Sequence, residues 1–155
     1  MVTLRPMTME DLPLFRKWLA SDHVRPWYEH PQAWIDEIED KDGSFSWISH
    51  FIALENKSPI GFCQFYDCAN SGETWGPFDP LDRTYSIDYL IGEKAALGKG
   101  YGKQMMNCLV EIIREQTDAR RIVVCPEKDN HNSCGLLRAC GFRLEGSGVY
   151  CMELD

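Results

Sequence analysis

A chain of 155 residues is long enough for one domain that buries roughly 70% of its unfolded surface, so neither disulfides nor a metal is needed to hold it. With 44% hydrophobic and 26% charged residues the composition is that of an ordinary folded protein, which excludes disorder, and no apolar run approaches the ~20 residues of a membrane span. A formal net charge of -8 speaks against nucleic acid, whose phosphates would be repelled, and favours small cationic partners, although solubility alone accounts for such a charge equally well.

In chain order, Val2 to Pro6 reads as a short strand, and Thr8 then stands before Glu10 and Asp11 at the mouth of a helix whose apolar positions are Leu12, Phe15, Trp18 and Leu19. A second helix is expected from about Gln32 to Asp40, with Trp34, Ile35 and Ile38 on one side and acids on the other. Between the two helices lies a loop rich in rings, Val24-Arg25-Pro26-Trp27-Tyr28-Glu29. Trp47 to Leu54 and Ile60 to Tyr66 are expected to be adjacent antiparallel strands, joined by the turn-like Glu55-Asn56-Lys57-Ser58-Pro59. Asn70 to Asp82, with Gly72, Gly76, Pro77 and Pro80, is a long loop, and loops of that length in compact domains tend to be functional. Tyr85 to Ile91 reads as a strand, and the helix after it carries Met105, Met106, Leu109, Val110, Ile112 and Ile113 at helical spacing, which makes its methionines core residues. Ile122 to Cys125 is a buried strand stopped by Pro126, Ser133 to Cys140 a short helix closed by Gly141, and Val149 to Leu154 a last strand. The order is mixed α/β, in one domain spanning 1–155.

The seven cysteines are odd in number and contain no C-x-x-C pair, which favours reduced thiols over a disulfide frame or a zinc site, and His23, His30, His50 and His131 show no metal-ligand spacing. With an N-terminus that passes straight into patterned sequence, the expected location is the cytoplasm, with no membrane partner and no metal.

One short run carries chemistry. Leu97-Gly98-Lys99-Gly100-Tyr101-Gly102-Lys103 lies between the strand ending near Ile91 and the amphipathic helix. Three glycines at alternate positions allow a tight turn and a close approach of anion oxygens to the main chain, at the positive end of the helix that follows. A phosphate loop of the G-x-x-x-x-G-K-S/T type is excluded, because Gln104 follows Lys103 and Leu97 stands five residues before Gly102. A dinucleotide fingerprint needs glycine at the place of Lys103 and an early βαβ unit, and has neither. Outward, unpaired amides at such a helix start hold an anion, most naturally a pyrophosphate, and the alternative is a glycine-rich connection with no ligand.

This run resembles the Q/R-x-x-G-x-G/A pattern of the GNAT acetyltransferase superfamily, with Leu97 in place of its first residue. The resemblance extends over nearly the whole chain, through Asn130-His131-Asn132-Ser133 to Leu137-Arg138-Ala139-Cys140-Gly141-Phe142, which is similar to the family's second motif. Within the superfamily the chain looks most like the aminoglycoside 6′-N-acetyltransferases, through Val2-Thr3-Leu4-Arg5-Pro6-Met7-Thr8, the Trp27-Tyr28 pair, Ser86-Ile87-Asp88 and the Leu-Gly-Lys-Gly-x-Gly form. The resemblance implies a single-domain fold with a mostly antiparallel sheet flanked by helices, in which a splayed parallel pair of strands holds acetyl-CoA. It implies that the pantetheine arm pairs with backbone around Leu90, Ile91 and Gly92, that the pyrophosphate sits on amides from Gly98 to Lys103, and that Asn130 bonds the arm from the other side. The protein is then expected to be a monomer or homodimer that acetylates an amine.

Transfer to an amine requires the free base of a group with a pKa near ~10, hence a base or a field that favours deprotonation. Asp88, just before the end of the cofactor strand, is the candidate, as base or as cation holder. Acceptor recognition is expected from Trp27, Tyr28 and Glu29 of the first loop and from Glu73, Trp75, Asp79 and Asp82 of the long loop, since rings and acids attract ammonium groups. The tyrosine that the family often uses to protonate the departing thiolate has its place at Leu137, so Tyr150, Ser133 or water must serve, or no acid at all. Cys134 is nearby, but direct transfer and an inert buried thiol are the expectation. Three readings stay open: acetylation of a polycationic small molecule such as an aminoglycoside, acetylation of an amino acid, polyamine or protein N-terminus, and a silent acyl-CoA-binding module.

Overall fold

The computed structural model describes residues 1–78 and 80–154. The described elements run β1 (Val2–Pro6), α1 (Leu12–Leu19), α2 (Pro31–Glu39), β2 (Ile48–Glu55), β3 (Ser58–Asp67), β4 (Thr84–Ile91), α3 (Tyr101–Gln116), β5 (Arg121–Val124), α4 (His131–Ala139), β6 (Arg143–Leu144) and β7 (Tyr150–Glu153). The strands form one sheet in the order β1-β2-β3-β4-β5-β7-β6. Its pairings are antiparallel except between β4 and β5. That single parallel pairing demands a crossover, which α3 supplies.

Alternation along the strands divides the interior in two. Phe51, Ala53, Cys63, Phe65 and Ile87 face α3 and α4, where they meet Met105, Met106, Leu109 and Ile113. Ile52, Phe62 and Leu90 face the other way, onto Leu12, Phe15, Trp18 and Leu19 of α1 and Ile35 and Ile38 of α2. The methionines are core as expected, each 1% exposed. A third, smaller cluster anchors the long loop, with Trp75 buried among Cys68, Val123, Val149 and Cys151.

Boundaries differ from the sequence-based expectation where local chemistry decides them. Helix α2 starts at Pro31 rather than Gln32, since proline suits a first helical position and His30 turns the chain in with φ 57°. Helix α4 starts at His131 rather than Ser133, because the Asn130 side chain caps it by accepting the Ser133 N–H at 3.2 Å. Strand β5 ends at Val124, before Cys125, and β2 begins at Ile48 rather than Trp47. The two exposed residues of β6 carry no pattern and were not expected.

Candidate active site

Strands β4 and β5 pair only through Thr84–Arg121, Tyr85–Ile122 and Ser86–Val123. They then diverge. Pro126 lacks the N–H that would continue a ladder, and the chain leaves the sheet there. A cavity of about 490 Å³ opens at the divergence and reaches both faces of the sheet, with walls from β4, the β5–α4 connection, α3, α4 and both sequence-predicted recognition loops. Backbone alternation sends the polar groups of Leu90 and Gly92 toward β3, where the Gly92 N–H donates to the Ile60 carbonyl at 2.7 Å. It leaves those of Tyr89 and Ile91 on the open side. Side chains already meet both carbonyls: the Tyr28 hydroxyl donates to that of Tyr89, and His23 Nε2–H donates to that of Ile91 at 2.9 Å.

At one end lies the glycine turn. Gly98 and Gly100 have φ of 73° and 79°, a region that side chains other than glycine's rarely adopt, although an added Cβ would meet nothing within 4 Å at either. Their requirement is therefore conformational. Gly100 is the N-cap of α3 without a side-chain cap, so the first-turn amides of Tyr101, Gly102 and Lys103 face outward at the positive helix end. Leu97 and Gly102 line the cavity, and a Cβ at Gly102 would meet Leu136 in ordinary contact at 3.4 Å. Lys99 and Lys103 are exposed beside the turn. These features fit a diphosphate. Asn130 lines the opposite wall and combines that position with its capping bond. Gly92 has another reason to be glycine: a Cβ would come within 2.1 Å of the Trp18 ring, whose Nε1–H donates to Glu93 at 2.6 Å.

At the other end stands Asp88, in a row of polar residues that crosses three strands. His50, Gln64 and Asp88 are direct register partners on β2, β3 and β4. Gln64 Nε2–H donates to Asp88 Oδ2 at 2.8 Å, so its Oε1 must accept from His50 Nδ1–H at 2.9 Å. The order fixes the His50 tautomer, and its other nitrogen, Nε2, is buried without a partner as an unprotonated nitrogen. Burial holds His50 down at about 4, hence neutral. Burial pushes Asp88 up to about 6, the Gln64 bond opposes the rise, and the charge of Glu73 adds to it. Glu37, on α2, is pushed up to about 7, by burial first and then by Asp88 and Glu73. Glu73 is held in place by the Tyr66 hydroxyl, which donates to it at 3.0 Å. No lysine or arginine lines the cavity among the described residues. Two acids on the cavity wall, Glu73 and Asp88, with Glu37 near enough to feel both and aromatic rings beside them, suit an external cation.

The cavity brings together Trp27, Tyr28, Glu73, Trp75 and Asp88 of the sequence-predicted acceptor residues. Trp75 serves there and as the anchor of its loop, with Nε1 buried and unpartnered. Glu29 is exposed on the far side of the ring-rich loop, in a separate depression with Arg16 and Arg25. Asp82 is also exposed and away from the cavity, and its carbonyl accepts from Thr84 Oγ1 and Arg120 Nε. Asp79 lies outside the described residues. Leu137 is wholly buried in the core, and Tyr150 is buried under the Arg138 guanidinium, 5.6 Å from its ring, so neither lines the cavity. Ser133 does. The Cys134 thiol is buried and points to the Glu127 carbonyl at 3.9 Å.

Sequence reasoning missed Gln64, His50, Glu37, Trp34 and Tyr66. A signal existed for Gln64, a lone polar residue in the middle of an apolar stretch, while His50 follows Ser49 in β2. Lining them up with Asp88 required the register.

The chain is 27% identical over 152 residues to the aminoglycoside N(6′)-acetyltransferase type 1 of Klebsiella pneumoniae, covering 94% of this chain and 76% of that protein. Its fold matches the crystal structure of an aminoglycoside acetyltransferase in complex with coenzyme A and kanamycin, with a TM-score of 0.85 at 25% identity over 99% of this chain and 95% of the other. A ribosomal-protein-S5-alanine acetyltransferase from Vibrio fischeri shares the fold alone, with a TM-score of 0.71 at 17% identity over 99% and 93% of the two chains. A model of the acetyltransferase (GNAT) domain matches residues 7–149, and with that span, the glycine turn and the splayed strand pair in agreement, the chain belongs to the GNAT acetyltransferase family.

Proposed function

We propose that the protein transfers the acetyl group of acetyl-CoA to a primary amine of a polycationic small molecule, an aminoglycoside acetylated at its 6′-amino group. The observation that carries this reading is the acceptor end of the cavity, where Glu73 and Asp88 face no lysine or arginine among the described residues, while both raise the pKa of the nearby Glu37. An acceptor with several ammonium groups relieves that repulsion. One with a single charge relieves it in part. Support also comes from the similarity to the aminoglycoside N(6′)-acetyltransferase of Klebsiella pneumoniae and to the solved complex with kanamycin.

The amides from Gly98 to Lys103 hold the diphosphate of the acyl donor, and the open edge at Tyr89 and Ile91 with Asn130 opposite holds its arm. Trp27, Tyr28 and Trp75 flank the acceptor. Asp88, poised near 6, is ionised for the most part at neutral pH and accepts the amine proton directly or through one water. Gln64, held by His50, keeps the carboxylate aimed. The cytoplasm, with its reduced thiols, suits a chain whose cysteines are all unpaired.

A thiol-release assay over kanamycin, ribostamycin, spermidine, amino acids and an N-terminal peptide tests the proposal. Turnover of the aminoglycosides at least ~10-fold above the others is expected. Turnover confined to spermidine, amino acids or peptide would remove the aminoglycoside, and tight acetyl-CoA binding with no transfer to any amine would leave a silent binding module. Asp88→Asn is expected to keep acetyl-CoA affinity and to lower kcat/KM by ~10²-fold or more.

A further inference from the structure

The place of the family's tyrosine acid holds Leu137, which has no proton to donate and is wholly buried in the core. One helical turn earlier, on the same face of α4, stands Ser133. Its Oγ lies 2.5 Å from the Tyr89 hydroxyl, and both residues line the cavity. We propose that Tyr89, supported by Ser133, is the residue that donates a proton to the coenzyme A thiolate. This rests on the acyl-transfer reading above.

Three observations carry it. Asp88 and Tyr89 are neighbours on β4, so their side chains leave opposite faces of the sheet: Asp88 toward Gln64 and the α1–α2 side, Tyr89 toward α4. The divergence of β4 and β5 opens both faces onto one cavity. A base on the acceptor side and a hydroxyl on the coenzyme side therefore flank the same reacting centre, as acyl transfer between them requires. Second, the other phenols on the cavity wall are committed elsewhere. Tyr28 donates to the Tyr89 carbonyl and Tyr66 to the Glu73 carboxylate. The partner of Tyr89 is itself a hydroxyl, which can donate as well as accept, so the phenol proton is free to turn to a new acceptor while Ser133 donates to the phenol oxygen. Third, the Tyr28 bond to the Tyr89 peptide fixes where that phenol starts. Burial also raises the phenol's pKa and keeps it protonated at neutral pH.

The step balances without an added reagent. The neutral amine forms the C–N bond to the thioester carbon and loses one proton to Asp88. The C–S bond breaks with its electron pair on sulfur, the Tyr89 O–H stabilises the charge that forms there, and a proton moves from solvent through Ser133 and Tyr89 to the sulfur in concert, so that no phenolate is left behind.

The test begins with coenzyme A bound to the wild-type protein. The ultraviolet absorbance of its thiolate is titrated against pH, and the same titration with desulfo-coenzyme A subtracts the tyrosines. A donor at Tyr89 is expected to lower the pKa of the bound thiol below that of the free thiol by about one unit or more, and Tyr89→Phe to abolish the difference. With an accepted amine, Tyr89→Phe is expected to reduce kcat by ~10²-fold with KM for acetyl-CoA changed less than about twofold, and Ser133→Ala by a smaller factor. A bound thiol pKa equal to or above the free value in the wild-type protein overturns the proposal, whatever the variants do. So does a Tyr89→Phe enzyme with unchanged kcat. A lowered thiol pKa in a protein that acetylates no amine sinks the proposed function and leaves the thiolate donor standing.

Discussion

Replacing Gln64 by leucine keeps the volume of the side chain and removes the N–H that Asp88 accepts at 2.8 Å. That bond is the influence holding Asp88 down against burial and the charge of Glu73. A hydrogen bond to a charged group contributes about 1.5–3 kcal/mol, and one pKa unit corresponds to about 1.4 kcal/mol, so its loss raises Asp88 by roughly one to two units from about 6. At pH 7 the carboxylate then falls from about a tenfold excess over the acid to between parity and a tenfold deficit. The rate is governed by the ionised form, so activity rises with pH and its acid limb lies near the Asp88 pKa. The expected result is a kcat/KM profile whose acid limb moves up by one to two units, a loss of about two- to tenfold at pH 7, and recovery toward wild type near pH 9. Stopped-time thiol release from pH 5 to 9 measures it. His50 Nδ1–H loses its acceptor in the same variant, at a cost in stability of about 1–3 kcal/mol, so rates must be normalised to folded protein by circular dichroism. An acid limb that stays in place, on folded protein, refutes the role given to the His50–Gln64–Asp88 row.

Glu37→Gln is expected to stabilise the protein and weaken the acceptor. Because the folded pKa of Glu37 is raised from 4.5 to about 7, folding is penalised as pH rises through that interval, and the penalty is complete above it. After allowance for its partial exposure the penalty is about 1–2 kcal/mol, so Tm at pH 8 should rise by roughly 2–8 °C, with no gain at pH 4, where the group is neutral in both states. KM for the amine acceptor should rise several-fold in the same variant, and a Tm gain of equal size at pH 4 and pH 8 contradicts the electrostatic cause. Gly100→Ala strains a residue at φ 79° by about 1–2 kcal/mol without any clash, so calorimetry should show weaker binding of coenzyme A with the cavity's acceptor end unaltered. Unchanged coenzyme A affinity in Gly100→Ala means that these amides do not hold the diphosphate.

Much of the fold is legible because its signals are local. The glycine run and the amphipathic helix after it are contiguous, and the apolar positions of α1 and α3 repeat at one helical period. Asp88 could be named as a candidate for the same reason, at a fixed place before the turn. Gln64 and His50 were not, because nothing local distinguishes a polar residue that completes a row across strands from one that merely interrupts an apolar run. Glu29 and Asp82 show the converse failure. Both are acids in loops of suitable composition, but composition carries no direction, and the turn at His30 sends Glu29 to the far side while the carbonyl of Asp82, not its carboxylate, is what the neighbouring residues engage.

The carbonyl groups of Tyr89 and Ile91 belong to a strand covered along only its first three residues by β5. An uncovered strand margin of this kind is a template for another chain, and proteins usually blunt it with charge, proline or a covering segment. Here Tyr28 and His23 occupy its acceptors, contributed by a loop rather than by a further strand. Loosening of that loop on warming is expected to free the margin before the core melts, so clumping of heated protein should set in below the unfolding midpoint and should be delayed by coenzyme A. The divergence of β4 and β5 that forms the cavity thus also sets where the protein is expected to fail first in storage.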